Sequence, residues 1–110
     1  MAERRLFPRV KKRILVSFDV GRHSAEGFTY DISPTGIFVR SVHFPRPGTQ
    51  LKIRLKPPVG QRILLRGTVV RTYRVPARLT AFVPSGFSVR LLHPPEEYFQ
   101  LLARLFRIAA

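Results

Sequence analysis

The 110-residue chain contains no cysteine. Its sequence therefore excludes both a disulfide framework and a cysteine-based metal site, and it fits a reducing compartment. Long apolar runs are also missing: no stretch approaches the roughly 18–20 apolar residues that span a bilayer. The N-terminal Met1-Ala2-Glu3-Arg4-Arg5 is not followed by the apolar core of a signal peptide. The expectation is a soluble, cytoplasmic protein with no membrane span. Acidic residues are scarce: six Asp and Glu stand against twenty Lys and Arg, a formal net charge of +14. Such an imbalance points to an anionic partner, whether nucleic acid, a nucleotide or an acidic membrane surface. Most of the cations are arginine, whose planar guanidinium favours bidentate recognition of phosphates and base edges.

Enzyme motifs are lacking too. There is no G-x-G-x-x-G or Walker-type loop. His23, His43 and His93 lie far apart, and none has metal-ligand spacing to a neighbour. Asp19 and Asp31 are not paired by any sequence pattern, and Glu96-Glu97 reads as charge placed at a helix N-terminus. The expectation is a binding protein, not an enzyme, with no metal and no cofactor.

What the sequence does contain is a series of short alternating segments. Ile14, Val16, Phe18 and Val20 share one face of a first strand. Phe28 to Ser33 alternates again, which puts Phe28, Tyr30 and Ile32 on an inner face and Thr29, Asp31 and Ser33 on an exposed one. Further strands are predicted over 37–42, over 49–56 with Leu51, Ile53 and Leu55 inward, over 63–74 with Leu65, Val69 and Tyr73 on one side, and over 87–91. Gly67 marks a bulge or close packing in the long strand. Residues 75–86 read as a loop. Pro94-Pro95-Glu96-Glu97 then opens a helix over about 95–108, with Tyr98, Leu101, Leu102, Leu105 and Phe106 on one face. The predicted fold is all-β: a six-stranded antiparallel barrel over 14–110 carrying a C-terminal helix, preceded by a flexible arm over 1–13.

Two constellations carry chemistry. One is the arm, Arg4-Arg5-Leu6-Phe7-Pro8-Arg9; the other is the polar turn Asp31-Ile32-Ser33-Pro34-Thr35-Gly36. A guanidinium fork matches the O6 and N7 acceptors of guanine, a carboxylate accepts from the N1–H and N2–H donors on its opposite edge, and phosphate favours arginine. Together the two form a chemically complete set for a guanine nucleotide. Ser33 adds a donor or acceptor beside Asp31, and Gly36 provides either positive φ or close approach of a ligand to the backbone. Taken singly, Asp31-x-Ser33 before proline is an ordinary turn signal, and the arginines are an ordinary basic tail.

Arg5-x-x-x-Arg9, followed after one strand and a loop by Asp31-x-Ser33-x-x-Gly36, resembles the two-part signature of the PilZ family. Val69-Val70-Arg71, and Gly86-Phe87-Ser88-Val89-Arg90-Leu91 before an acidic helix start, are similar to the last strands and tail of that family. The spacing Arg9 to Arg13 fits the arginine pattern as well, but Arg5 and Arg9 precede the first strand. The resemblance implies a receptor domain for the bacterial second messenger cyclic di-GMP, of the stand-alone type that acts through a partner protein. Arg5 and Arg9 would bind phosphates and the guanine Hoogsteen edge, with Arg4 as an additional arginine. Asp31 would hold the Watson–Crick edge or orient the arginines, and Ser33 and Gly36 would shape the floor. The arm would order over the ligand and alter contacts with a downstream protein. The rival expectations are a basic barrel that binds single-stranded RNA or DNA, and an assembly protein that leaves the site unused.

Overall fold

The computed structural model describes residues 9–109. Seven strands form in chain order: β1 (Val10–Lys11), β2 (Leu15–Val20), β3 (His23–Ile32), β4 (Gly36–Arg40), β5 (Gln50–Lys56), β6 (Ile63–Tyr73) and β7 (Gly86–Leu91). A 3-10 turn at Ala77–Leu79 lies in the β6–β7 connection, and helix α1 (Glu96–Ala109) ends the chain. Strand order is β1-β3-β2-β5-β6-β7-β4, every pairing is antiparallel, and β4 returns to pair with β3. Strands β2 to β7 thus close the expected six-stranded barrel. β1 is an addition, formed within the segment assigned to the arm; Val10 opposes Ile32 and Lys11 opposes Asp31 at the end of β3.

The alternating apolar residues fill the barrel. Val16 and Phe18 from β2, Ile53 and Leu55 from β5, Leu65 and Val69 from β6, and Phe87 and Val89 from β7 are all buried. The Phe18 and Phe87 rings meet edge to face at 5.1 Å. Gly67 serves close packing: a Cβ there would lie 2.4 Å from Val89 Cγ1 and 2.7 Å from the Arg90 carbonyl oxygen. Helix α1 buries Tyr98, Leu101, Leu102 and Leu105 as the spacing predicts, and Phe106 packs partly against the same core. The acidic Glu96 and Glu97 occupy its first turn, where they complement the helix dipole.

Two strands depart from strict alternation, both for the same reason. Thr29 opposes Val39 and Asp31 opposes Phe38, so Tyr30 is an extra residue in β3. Val69 opposes Val89 and Arg71 opposes Ser88, so Val70 is an extra residue in β6. A bulge of this kind shifts the phase of every side chain beyond it. The expected inner face of β3 is corrected accordingly. Thr29 and Ile32 point inward at 1% and 0% exposure, whereas Phe28 and Tyr30 lie half-buried on the outer surface. Tyr73 likewise turns outward, away from the face of Leu65 and Val69 on which alternation places it. The buried Thr29 hydroxyl is fully used: it accepts from the Ile14 N–H at 2.9 Å and donates to the Lys12 carbonyl. This staples the segment between β1 and β2 to the side of β3.

Candidate functional site

The site is built on the turn between β3 and β4. Ser33, expected to project into solvent, is 1% exposed. Its hydroxyl folds into the turn, accepting from the N–H groups of Gly36 at 3.1 Å and Thr35 at 3.3 Å and donating to the Gly36 carbonyl at 3.2 Å. The Ser33 N–H donates to the same carbonyl at 2.9 Å. Ser33 thus fixes the conformation of the turn, the role that serine commonly takes in turns. Gly36 does not adopt positive φ. Its requirement is space, because a Cβ would sit 2.8 Å from the Val89 carbonyl oxygen across the β4–β7 pair.

Arg9, immediately before β1, reaches over this turn. Its Nε donates to Asp31 Oδ1 at 2.9 Å, and its Nη1 lies 3.4 Å from the Ser33 hydroxyl oxygen. Both side chains of the Arg9–Asp31 pair remain about one-fifth exposed, so the pair borders solvent. The Tyr30 bulge is what makes the pairing available: it leaves Asp31 on the outer surface directly before inward-facing Ile32. Arg9, Asp31, Ser33 and Gly36 are therefore brought together, while Arg4 and Arg5 lie outside the described residues. Arg13, the alternative end of the arginine pattern, instead stacks on the Phe28 ring at 3.9 Å.

Beside Arg9 is a shallow depression of about 250 Å³, bordered by Thr35, Gly36, Val70, Ser88 and Arg90. Arg90 is the register partner of Gly36, and Ser88 faces Phe38 on one side and Arg71 beside the Val70 bulge on the other. The sequence alone gives Val70, Ser88 and Arg90 no place in the site. Their signal is register, which becomes readable once Gly36 is paired with β7. The β6 bulge places Val70 at this depression, a common placement for bulges near binding sites.

Sequence reasoning also missed a residue beneath the site. Tyr98 of α1 was assigned to the core, and it is fully buried, but its hydroxyl donates to the Ser33 carbonyl at 2.6 Å. Burial pushes its phenol well above the usual tyrosine range; the Arg9 charge opposes that shift and Asp31 adds to it. The helix is thereby bonded to the turn that carries the site. No cluster of three or more potential metal ligands occurs among the described residues, and no helix there is long and apolar enough to cross a membrane.

The chain is thus a small closed antiparallel barrel with an arginine folded over a Ser-Gly turn beside a carboxylate. Comparison with known families makes that class specific. The model of the PilZ domain family matches residues 3–107, so the chain belongs to the PilZ domain family. No curated protein matches the sequence. Among solved structures, the Bacillus subtilis inhibitor of motility (MotI/DgrA) superposes with a TM-score of 0.78 at 18% identity, covering 98% of this chain and 52% of that one. The PilZ domain of YcgR from Escherichia coli, solved with c-di-GMP, superposes with a TM-score of 0.72 at 15% identity, covering 97% and 95%. The chain therefore spans about half the length of the Bacillus protein, and both likenesses show the fold.

Proposed function

We propose that this chain is a cytoplasmic receptor for cyclic di-GMP that performs no catalysis, needs no cofactor and relays occupancy to a downstream protein. The observation that carries this reading is the contact of Arg9 with Asp31 and Ser33 on the β3–β4 turn, in a chain of the PilZ family whose fold neighbour from Escherichia coli was solved with this ligand. In the reading, Arg9 supplies guanidinium donors to phosphate and to the guanine Hoogsteen edge. Asp31 either accepts from the guanine Watson–Crick edge or holds Arg9 in position. The turn set by Ser33 and Gly36, with the adjoining depression, forms the floor. Arg4 and Arg5 of the arm complete the ligand shell from above. Ordering of that arm then changes the surface offered to the partner, since the closing contacts exist only in the bound state.

Calorimetric titration with cyclic di-GMP, using cyclic di-AMP and GTP as controls, tests the reading. Selective binding is expected. Arg5→Ala and Arg9→Ala should each weaken it by roughly 1–3 kcal/mol per lost bidentate contact, and Asp31→Ala should reduce discrimination for guanine. Unchanged affinity in the arginine variants would refute the assignment.

A second reading, binding of single-stranded RNA or DNA, gains one specific observation. Phe28, Tyr30, Phe38 and Tyr73 lie on the outer surface of the barrel rather than in its core, with Lys11, Arg13 and Arg40 beside the Phe28 and Tyr30 rings. Basic side chains interleaved with aromatic rings suit stacked bases and phosphates. Salt-sensitive oligonucleotide binding, without any response to the cyclic dinucleotide, would favour this reading over the first.

A further inference from the structure

The β6–β7 connection leaves large apolar side chains in solvent that the fold does not require to be there. Phe82 is 83% exposed, and Leu79 and Val83 are each 47% exposed. Val42, 82% exposed, is adjacent: Ser41 and Val42 share a surface depression with Thr80 and Ser85, and the Ser41 N–H donates to the Ser85 carbonyl at 3.1 Å.

The connection is internally bonded, not loose. The Leu79 N–H donates to the Pro76 carbonyl, and the Phe82 and Val83 N–H groups both donate to the Leu79 carbonyl. The Thr80 hydroxyl donates to Ala77, and the Ser85 hydroxyl accepts from the Val75 N–H while donating to the Tyr73 carbonyl. Arg40 Nη2 lies 3.4 Å from the Thr80 carbonyl oxygen and ties the loop to β4. A loop held in this way presents its apolar residues outward instead of letting them collapse onto the barrel. Exposed apolar clusters of this kind mark interaction surfaces.

Charge selects the partner. Between Asp31 and Glu96 the sequence has no Asp or Glu, and the loop carries Arg74 and Arg78 beside its apolar tip, both exposed. We infer that this tip is an interfacial anchor that inserts Phe82, Leu79 and Val83 into an anionic phospholipid surface, with Arg74, Arg78 and Arg40 meeting the headgroups. An exposed apolar loop flanked in sequence by arginine has the chemistry of membrane-surface binding: apolar groups enter the acyl boundary while cations remain among acidic headgroups. The inference is independent of the nucleotide reading, because none of these residues borders Arg9, Asp31 or Gly36.

The test is co-sedimentation of the whole chain with phosphatidylcholine vesicles that contain or lack phosphatidylglycerol. Binding is expected only to the phosphatidylglycerol vesicles. Phe82→Ser, at a position too exposed to affect the core, should lower the partition coefficient by roughly tenfold or more, the equivalent of burying one large apolar side chain. Because a strongly basic protein adsorbs to acidic vesicles through net charge alone, Arg78→Glu is compared with Arg62→Glu. Arg62 precedes β6 and so lies at the opposite end of that strand from the loop. The first variant should lose several-fold more binding than the second. Failure of the wild type to bind, an unchanged Phe82→Ser variant, or equal losses in the two arginine variants would each overturn the inference.

Discussion

Tyr98 is the residue on which the helix and the site depend together. Its hydroxyl is the donor to the Ser33 carbonyl, at 2.6 Å in a fully buried setting. Tyr98→Phe keeps the ring and removes only that donor, so it should destabilise the fold by about 1–3 kcal/mol, the usual range for a buried polar group left unpaired. Chemical denaturation measures this directly. The pH dependence follows from the raised phenol. The folded state favours the neutral hydroxyl, so the Tyr98 contribution is complete below the unfolded tyrosine pKa of about 10 and is lost as pH climbs beyond it. A shallower alkaline loss of stability in Tyr98→Phe than in the wild type is the expected signature. At this scale the sequence was informative about Arg9, Asp31 and Gly36, because acid, arginine and glycine have few interchangeable roles at such spacing. It was silent on Tyr98, since a helical apolar stripe does not reveal that one member also carries a hydrogen bond.

Among the elements, β3 does the most to position the site. Thr29, read as solvent-facing, is buried and joins β3 to the chain leaving β1 through its bonds to Ile14 and Lys12. Thr29→Val preserves shape and removes both bonds. It should cost about 1–3 kcal/mol, because the buried Ile14 N–H and the part-buried Lys12 carbonyl lose their partner, and the loss should appear as a lower denaturant midpoint with an unchanged slope. Each strand of the barrel and the helix could be located from alternation and from the i, i+3, i+4 spacing, but the first half of β3, His23 to Gly27, reads as a polar connection in sequence. The departures from the expected faces, at Phe28 and Tyr30 and again at Tyr73, fall at or beside an inserted residue, Tyr30 in β3 and Val70 in β6. Alternation cannot announce a bulge, because Tyr30 and Val70 are both good strand residues and only the partner strand reveals which one is extra. The two-residue β1 escaped notice for a simpler reason: so short a segment has no period.

For the whole molecule, closure of the barrel determines which part of the backbone can give way. Strands β2 to β7 are each paired on both sides, whereas β1 is paired only with β3, at the terminus of the sheet order. Beyond Lys11 the link to β3 continues through the Lys12 N–H, which donates to the Tyr30 carbonyl at 3.3 Å, and through the Thr29 bonds to Lys12 and Ile14. Arg9 directly precedes β1. Local opening free energies differ widely within one fold, and elements with few bonds exchange their amide hydrogens first. The amides of Val10 to Lys12 should therefore exchange faster than those of β5 and β6. A ligand that engages Arg9 should slow them selectively, leaving the rest of the barrel unchanged. Hydrogen exchange with and without cyclic di-GMP checks this; uniform protection, or none at β1, would count against it. The short strand thus becomes a natural reporter, with solvent exchange on three backbone amides registering whether the arm beside them is held or free.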